Sequence, residues 1–138
     1  MPRHLVIIES PYRGDIAANV DYARIACRDS YDRGEIPFAS HLLYPQFLDD
    51  NVDIERRDGI NFGYVFWQIS QTVVFYTDLG WSPGMEKALQ SVVNTWSAAG
   101  GRYAILRTIY RVGTAKAPEP CPQWLREAYD RGWHFTKD

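Results

Sequence analysis

The sequence has the pattern of a single α/β domain, Rossmann-like or flavodoxin-like, with a mostly parallel sheet of four or five strands and helices on both faces. Three features point to it. Short β-branched runs alternate with longer segments of three-and-four apolar spacing, in the order strand, helix, strand, helix, strand, helix, strand, which is the pattern of a wound parallel sheet. The runs are apolar nearly throughout rather than alternating, as strands covered on both faces must be. The 138 residues, 46% apolar and 23% charged, suffice for one core and are too few for two comfortable ones.

The first strand is residues 4–9 (HLVIIE), stopped by Ser10-Pro11, a short apolar run suited to a central position. Over residues 15–31, Ile16, Val20, Ala23, Cys27 and Tyr31 recur at helical spacing, with Asp15 placed to cap the start and Gly34 just past the end. Residues 36–40 (IPFAS) form a second strand whose Pro37 fits a position near its start. Residues 41–53 (HLLYPQFLDDNVD) read as a loop too long to be a simple connector, and such loops are usually functional. Residues 54–69 read as a helix apolar on nearly every face, with Gly59 and Gly63 four apart, and so as a helix buried on more than one side.

The clearest strand is residues 72–76 (TVVFY). Ser82-Pro83 then offers a cap and a proline at the first helical position, with Met85, Leu89, Val92, Val93 and Trp96 as the buried stripe and Gly100-Gly101 as the end. Residues 102–109 (RYAILRTI) give the last strand, and residues 113–122 a proline-rich connector. A terminal helix over residues 123–131 can dock Trp124, Leu125, Ala128 and Tyr129. The expected division is an α/β domain over residues 1–112, followed by the connector and short helix over residues 113–138.

Charge and composition narrow the function. A net charge of −2 speaks against a surface that coats nucleic acid polymers, while two or three placed cations still suit a small anionic ligand. The apolar runs fall far short of the roughly 20 residues that span a bilayer, and no signal-like segment opens the chain, so no membrane association and a cytoplasmic location are expected. Cys27 and Cys121 lack metal-ligand spacing and read as reduced thiols. No metal and no cofactor are expected.

In wound parallel sheets ligands bind beyond the carboxyl ends of the strands, which makes four loops suspect, three of them with candidate residues. The first carries Ser10, Tyr12, Arg13 and Gly14 ahead of a helix N-terminus, where backbone amides attract an anion and a guanidinium can clamp it. The second opens with His41, the one candidate whose ordinary pKa lies near neutrality. The third holds Asp78, Ser82, Gly84 and Glu86. With Ser82 as cap, Glu86 stands one position past the usual capping-box site, where the positive helix end favours its ionised form. Each loop also has a purely structural reading: a tight turn, a hydrogen-bonded core histidine, a glutamate complementing the helix dipole.

The segments SPYRG, PFASHLLYPQFLDD and SPGMEKAL, in this order, resemble small phage and bacterial proteins of the nucleoside 2-deoxyribosyltransferase-like superfamily, over residues 4–107 by pattern. In the transferases a Gly-Met-Glu segment supplies the glutamate that attacks the anomeric carbon. Gly84-Met85-Glu86 is similar to it, so the resemblance implies that role for Glu86. Members of the small phage group often carry a glutamate further along, where this chain has Ala88. The transferases place an aspartate near the start of the preceding helix, for which Asp58 is the nearest substitute here. The related nucleotide hydrolases imply Ser10, Arg13 and Ser82 as phosphate or ribose contacts and Tyr12 near the sugar.

The resulting expectation is an enzyme that hydrolyses the N-glycosidic bond of a nucleoside or nucleoside 5′-monophosphate, or transfers its deoxyribosyl group, through a carboxylate at C1′. Hydrolysis comes first because Arg13 and Ser82 point to a phosphate. Asp58, Asp78 or His41 could protonate the leaving base. A non-catalytic nucleotide-binding module is the main alternative, and a plain interaction protein the third. A homodimer or higher homo-oligomer is expected from the apolar helix over residues 58–69, with Gly59 and Gly63 allowing close approach, and from the resemblance, since in the related enzymes a neighbouring subunit completes the site.

Overall fold

The computed structural model describes residues 2–70, 72–99, 103–109, 117 and 120–132. Four strands, β1 (Leu5–Glu9), β2 (Ile36–Phe38), β3 (Thr72–Tyr76) and β4 (Tyr103–Arg107), form one all-parallel sheet in the order β2-β1-β3-β4. The chain runs outward from β1 to β2, then reverses to β3 and β4. The flavodoxin-like arrangement expected from the sequence is therefore present. Pro37 lies opposite Val6 in the edge strand β2, where a missing ladder donor can face away from the sheet.

Five helices cover the sheet among the described residues: α1 (Ile16–Asp32), α2 (Ser40–Leu43), α3 (Asp53–Trp67), α4 (Pro83–Ala99) and α5 (Gln123–Asp130). Successive strand side chains point to opposite faces. Val6, Ile8, Val74 and Tyr76 pack with Tyr22, Ile25 and Ala26 of α1 and with Leu125, Ala128 and Tyr129 of α5. Ile7, Val73 and Phe75 pack on the other face with Trp67 of α3 and Met85, Ala88 and Val92 of α4. α5 is further tied to α1 by Arg24 stacked over Trp124 and by the Arg131–Asp21 ion pair.

Several expectations change. The stretch after β2 is not an open loop: α2 and a 3-10 turn, Tyr44–Gln46, occupy its first half. The buried face of α1 is rotated from the apolar stripe. Ile16 and Tyr31 are exposed, whereas Asn19 and Asp29 are buried because each finds partners, Asn19 donating to the carbonyls of Tyr12 and Arg13 and Asp29 accepting from Tyr76 and Arg33. Val93 of α4 is also exposed.

α3 is not buried on several sides. Only Gly63 and Trp67 are buried, and Ile54 and Val65 on the helix and Ile69 just past its end are 61%, 57% and 70% exposed, since α3 shares its sheet face with α4. Its glycines serve the chain's own packing. A Cβ at Gly63 would stand 3.1 Å from Ser40, and one at Gly59 3.5 Å from Tyr44. The side chain of Trp96, the Gly100-Gly101 helix end, Arg102 and most of the 113–122 connector lie outside the described residues.

Candidate functional site

Asp15 accepts from the Ala18 amide and caps α1, and Gly14 makes the preceding turn at φ 99°, a left-handed conformation that favours glycine. Asn19 reaches back to the Tyr12 and Arg13 carbonyls at 2.9 Å each, so the loop after β1 is held from within the helix that follows it. Ser82 accepts from the Met85 amide at 3.2 Å, making it the cap of α4, with Pro83 as the first helical residue.

These two loops, α2, α3 and the start of α4 line a half-open cavity of about 650 Å³ on the α3/α4 face, above the carboxyl ends of β1 and β3. That is where the strand order reverses, the position at which wound sheets bind ligands. Its size falls within the range of about 300–1,000 Å³ usual for small-molecule sites. Tyr12, Tyr44, Tyr64 and Trp67 supply aromatic wall, and Arg13, Arg56 and Lys87 supply positive charge.

Glu9 ends β1 opposite Phe75 and lines this cavity. Glu9 is half-buried, and burial pushes its carboxyl up to about 8. Desolvation penalises the charged form, so Glu9 is held as the neutral acid at pH 7. The Tyr64 phenol is raised first by burial and then by the nearby Glu9 charge. His41 is pulled down to about 4 by burial and is neutral at physiological pH, with Nε2 2.9 Å from Ser10 Oγ. The edge of Tyr12 meets the His41 ring. Arg13 donates through Nε and Nη2 to Asp50 at 3.3 and 3.2 Å, and Arg56 stands 3.9 Å from the same carboxylate.

Of the residues singled out in the sequence, Ser10, Tyr12, Arg13, His41, Ser82 and Gly84 line the cavity, while Gly14, Asp58, Asp78 and Glu86 do not. Glu86 is exposed on α4, between the cavity-facing Met85 and Lys87. Asp78 is engaged elsewhere, accepting from the Tyr22 hydroxyl and the Ile109 amide. Glu9, Arg56, Tyr64, Trp67 and Lys87 escaped the sequence reading. Glu9 had a legible signal: a carboxylate closing an apolar strand, two residues after Ile7 and thus on the same face. Among the described residues, no three His, Cys, Asp or Glu side chains are gathered to hold a metal ion.

Residues 4–95 match the family described as Domain of unknown function (DUF7768). The chain belongs to this family. No curated protein and no solved structure matches it. Every residue lining the cavity falls within the matched span, so the site belongs to the DUF7768 domain, whereas β4 and α5 lie beyond it. No helix among the described residues of this DUF7768 protein is long and apolar enough to cross a membrane.

Proposed function

We propose that the chain cleaves the N-glycosidic bond of a nucleoside or nucleoside 5′-monophosphate at the cavity above β1 and β3, hydrolysing the bond or transferring the deoxyribosyl group. The observation that carries this reading is the cavity's composition: a partly desolvated carboxyl, aromatic walls and three cations, two of them beside Asp50, share one half-open cavity at the switch in strand order. Aromatic faces suit a base, the Arg13, Arg56 and Lys87 charges suit a phosphate, and a protonated carboxyl suits a glycosidic bond whose base departs with a proton. The likeness of the three loops to the nucleoside 2-deoxyribosyltransferase-like superfamily supports it. A cytoplasmic setting fits the free thiols Cys27 and Cys121.

Incubating the protein with a panel of nucleosides and their monophosphates, with chromatography for free base, tests the proposal. Release from any member supports it. A rise in melting temperature without release selects the second reading, a binding-only module, since a ligand of the native state alone raises stability. That reading is favoured by the exposure of Glu86, the carboxylate expected from the resemblance, outside the cavity. Neither release nor stabilisation removes both.

A homodimer is part of the proposal. Ile54 and Val65 on α3 and Ile69 in the turn beyond it leave exposed apolar surface, of the kind that a second copy covers. Val65→Lys should then shift sedimentation from dimer to monomer. A wild-type monomer at micromolar concentration contradicts the dimer.

A further inference from the structure

We propose that Glu9, at the C-terminal end of β1, is the general acid of this site, handing its carboxylic proton to the departing base; the proposal rests on the N-glycosidase reading above. The strand places it there. Ile7 belongs to the α3/α4 cluster, and Glu9, two residues on, projects from the same face just where that cluster gives way to the cavity. Met85 and Ala88, 1% and 3% exposed, line the same cavity and present no polar group to it.

The other carboxyls on the cavity wall are engaged. Asp50 holds Arg13 and stands near Arg56, and Glu55 accepts from the Asp49 amide at 3.2 Å. The Glu9 carboxyl makes no hydrogen bond or ion pair among the described residues. A half-buried carboxyl without a partner costs stability, and such groups gather where chemistry needs them. Burial keeps it protonated up to about pH 8, and a general acid works best with a pKa near the working pH.

In the step itself the Glu9 O–H bond breaks and its proton goes to a nitrogen or oxygen of the base. The C1′–N bond breaks and its electron pair leaves with the base. A water oxygen adds to C1′, the water loses its proton to solvent, and the Glu9 carboxylate takes a proton back. The sum is one water consumed per bond cleaved.

Charged and titratable groups around Glu9 come from every neighbouring element: Tyr12 and Arg13 from its own loop and His41 from α2. Asp50 precedes α3, which adds Glu55, Arg56 and Tyr64, and α4 adds Lys87. His41, held down at about 4, and the Tyr64 phenol, raised, leave the region near pH 8 to Glu9.

The test is kcat/KM against pH for a substrate found in the panel, with Glu9→Gln beside the wild type, on that substrate and on a 4-nitrophenyl 2-deoxyriboside, whose leaving group needs no proton. The expected result is a wild-type rate that falls above about pH 8. Glu9→Gln should release natural base at least about a hundredfold more slowly while still cleaving the nitrophenyl compound. Natural base released by Glu9→Gln at the wild-type rate, or a wild-type profile without the alkaline fall, overturns the proposal and leaves the N-glycosidase reading standing. Loss of both substrates with a wild-type rate that rises through pH 8 also overturns it, making Glu9 the nucleophile. If Glu86→Gln instead abolishes release and Glu9→Gln does not, the working carboxyl is on α4 and the proposal is overturned. A wild type that releases base from nothing removes the reading itself, and the proposal with it. The wild-type profile decides even if the variant does not fold.

Discussion

Ser10 Oγ and His41 Nε2 lie 2.9 Å apart, tying the end of β1 to the first turn of α2 across one wall of the cavity. The bond uses a neutral imidazole. Burial holds His41 at about 4, below its ordinary 6.5, so between these values the unfolded chain takes up a proton that the folded chain refuses. The folded state therefore loses stability as pH falls from about 6.5 to about 4.

His41→Gln keeps a polar group in place and has no proton to take up. Its melting temperature should gain on the wild type as pH falls through that window, by at most about 1.4 kcal/mol per pH unit. The comparison must be made between the two proteins at each pH, because Glu9 works in the opposite sense. Its pKa is raised from 4.5 to about 8, so the wild type loses stability as pH rises between those values, and Glu9→Gln should melt several degrees higher at pH 8, at about 3–5 °C per kcal/mol for this size. A constant difference between His41→Gln and wild type across pH 4–7 would mean that the imidazole is not desolvated.

The sheet was legible through its central strands β1 and β3, which are buried on both faces and so spell out apolar runs, and Ser82-Pro83 announced α4 through a cap and a first-turn proline. The face of α1 was less legible. Asn19 and Asp29 are buried by hydrogen bonds to residues distant in sequence or in the preceding loop, which periodicity cannot register. The same holds for the site. Loop residues such as Ser10, Arg13 and His41 stand out by type, but Tyr64 and Trp67 look like core aromatics until α3 is placed, and Glu9 hides in a strand.

Gly63 and Gly59 make opposite predictions on one helix. A Cβ at Gly63 would stand 3.1 Å from both Cβ and Oγ of Ser40, so Gly63→Ala should push α3 from α2 and cost about 1–3 kcal/mol. At Gly59 the nearest atom is 3.5 Å away, an ordinary contact, and Gly59→Ala should stabilise by about 0.5–1 kcal/mol through helix propensity. Urea unfolding of the two variants measures both. Equal effects at the two positions would show that α2 does not rest on Gly63.

Asp78 holds two elements together at the end of β3. Its carboxylate accepts from the Tyr22 hydroxyl, on a residue 1% exposed, and from the Ile109 amide beyond β4. Asp78→Ala strands both donors and should cost about 2–4 kcal/mol, read as a lower urea midpoint. An unchanged midpoint with lost base release would instead make Asp78 a group of the reaction.

Arg13 and Asp50 set the last prediction, on phosphate recognition. The pair is 3.2 Å apart with the Arg13 side chain 58% exposed, a setting in which an ion pair is worth only about 0–1 kcal/mol. A phosphate dianion carries more charge and more acceptors than Asp50, so it should win the guanidinium when a monophosphate binds. Arg13→Ala should then weaken a nucleoside monophosphate by about 1.5–3 kcal/mol while affecting the free nucleoside far less. Asp50→Asn should act the other way. It frees Arg13, and Arg56 3.9 Å from the same carboxylate, and removes a repelling charge, so monophosphate affinity should rise severalfold. The gain should shrink in high salt, which screens the exposed charges. Calorimetry with a nucleoside and its 5′-monophosphate checks both variants. Equal changes for the two ligands would make Arg13 and Asp50 a structural clasp rather than a phosphate site.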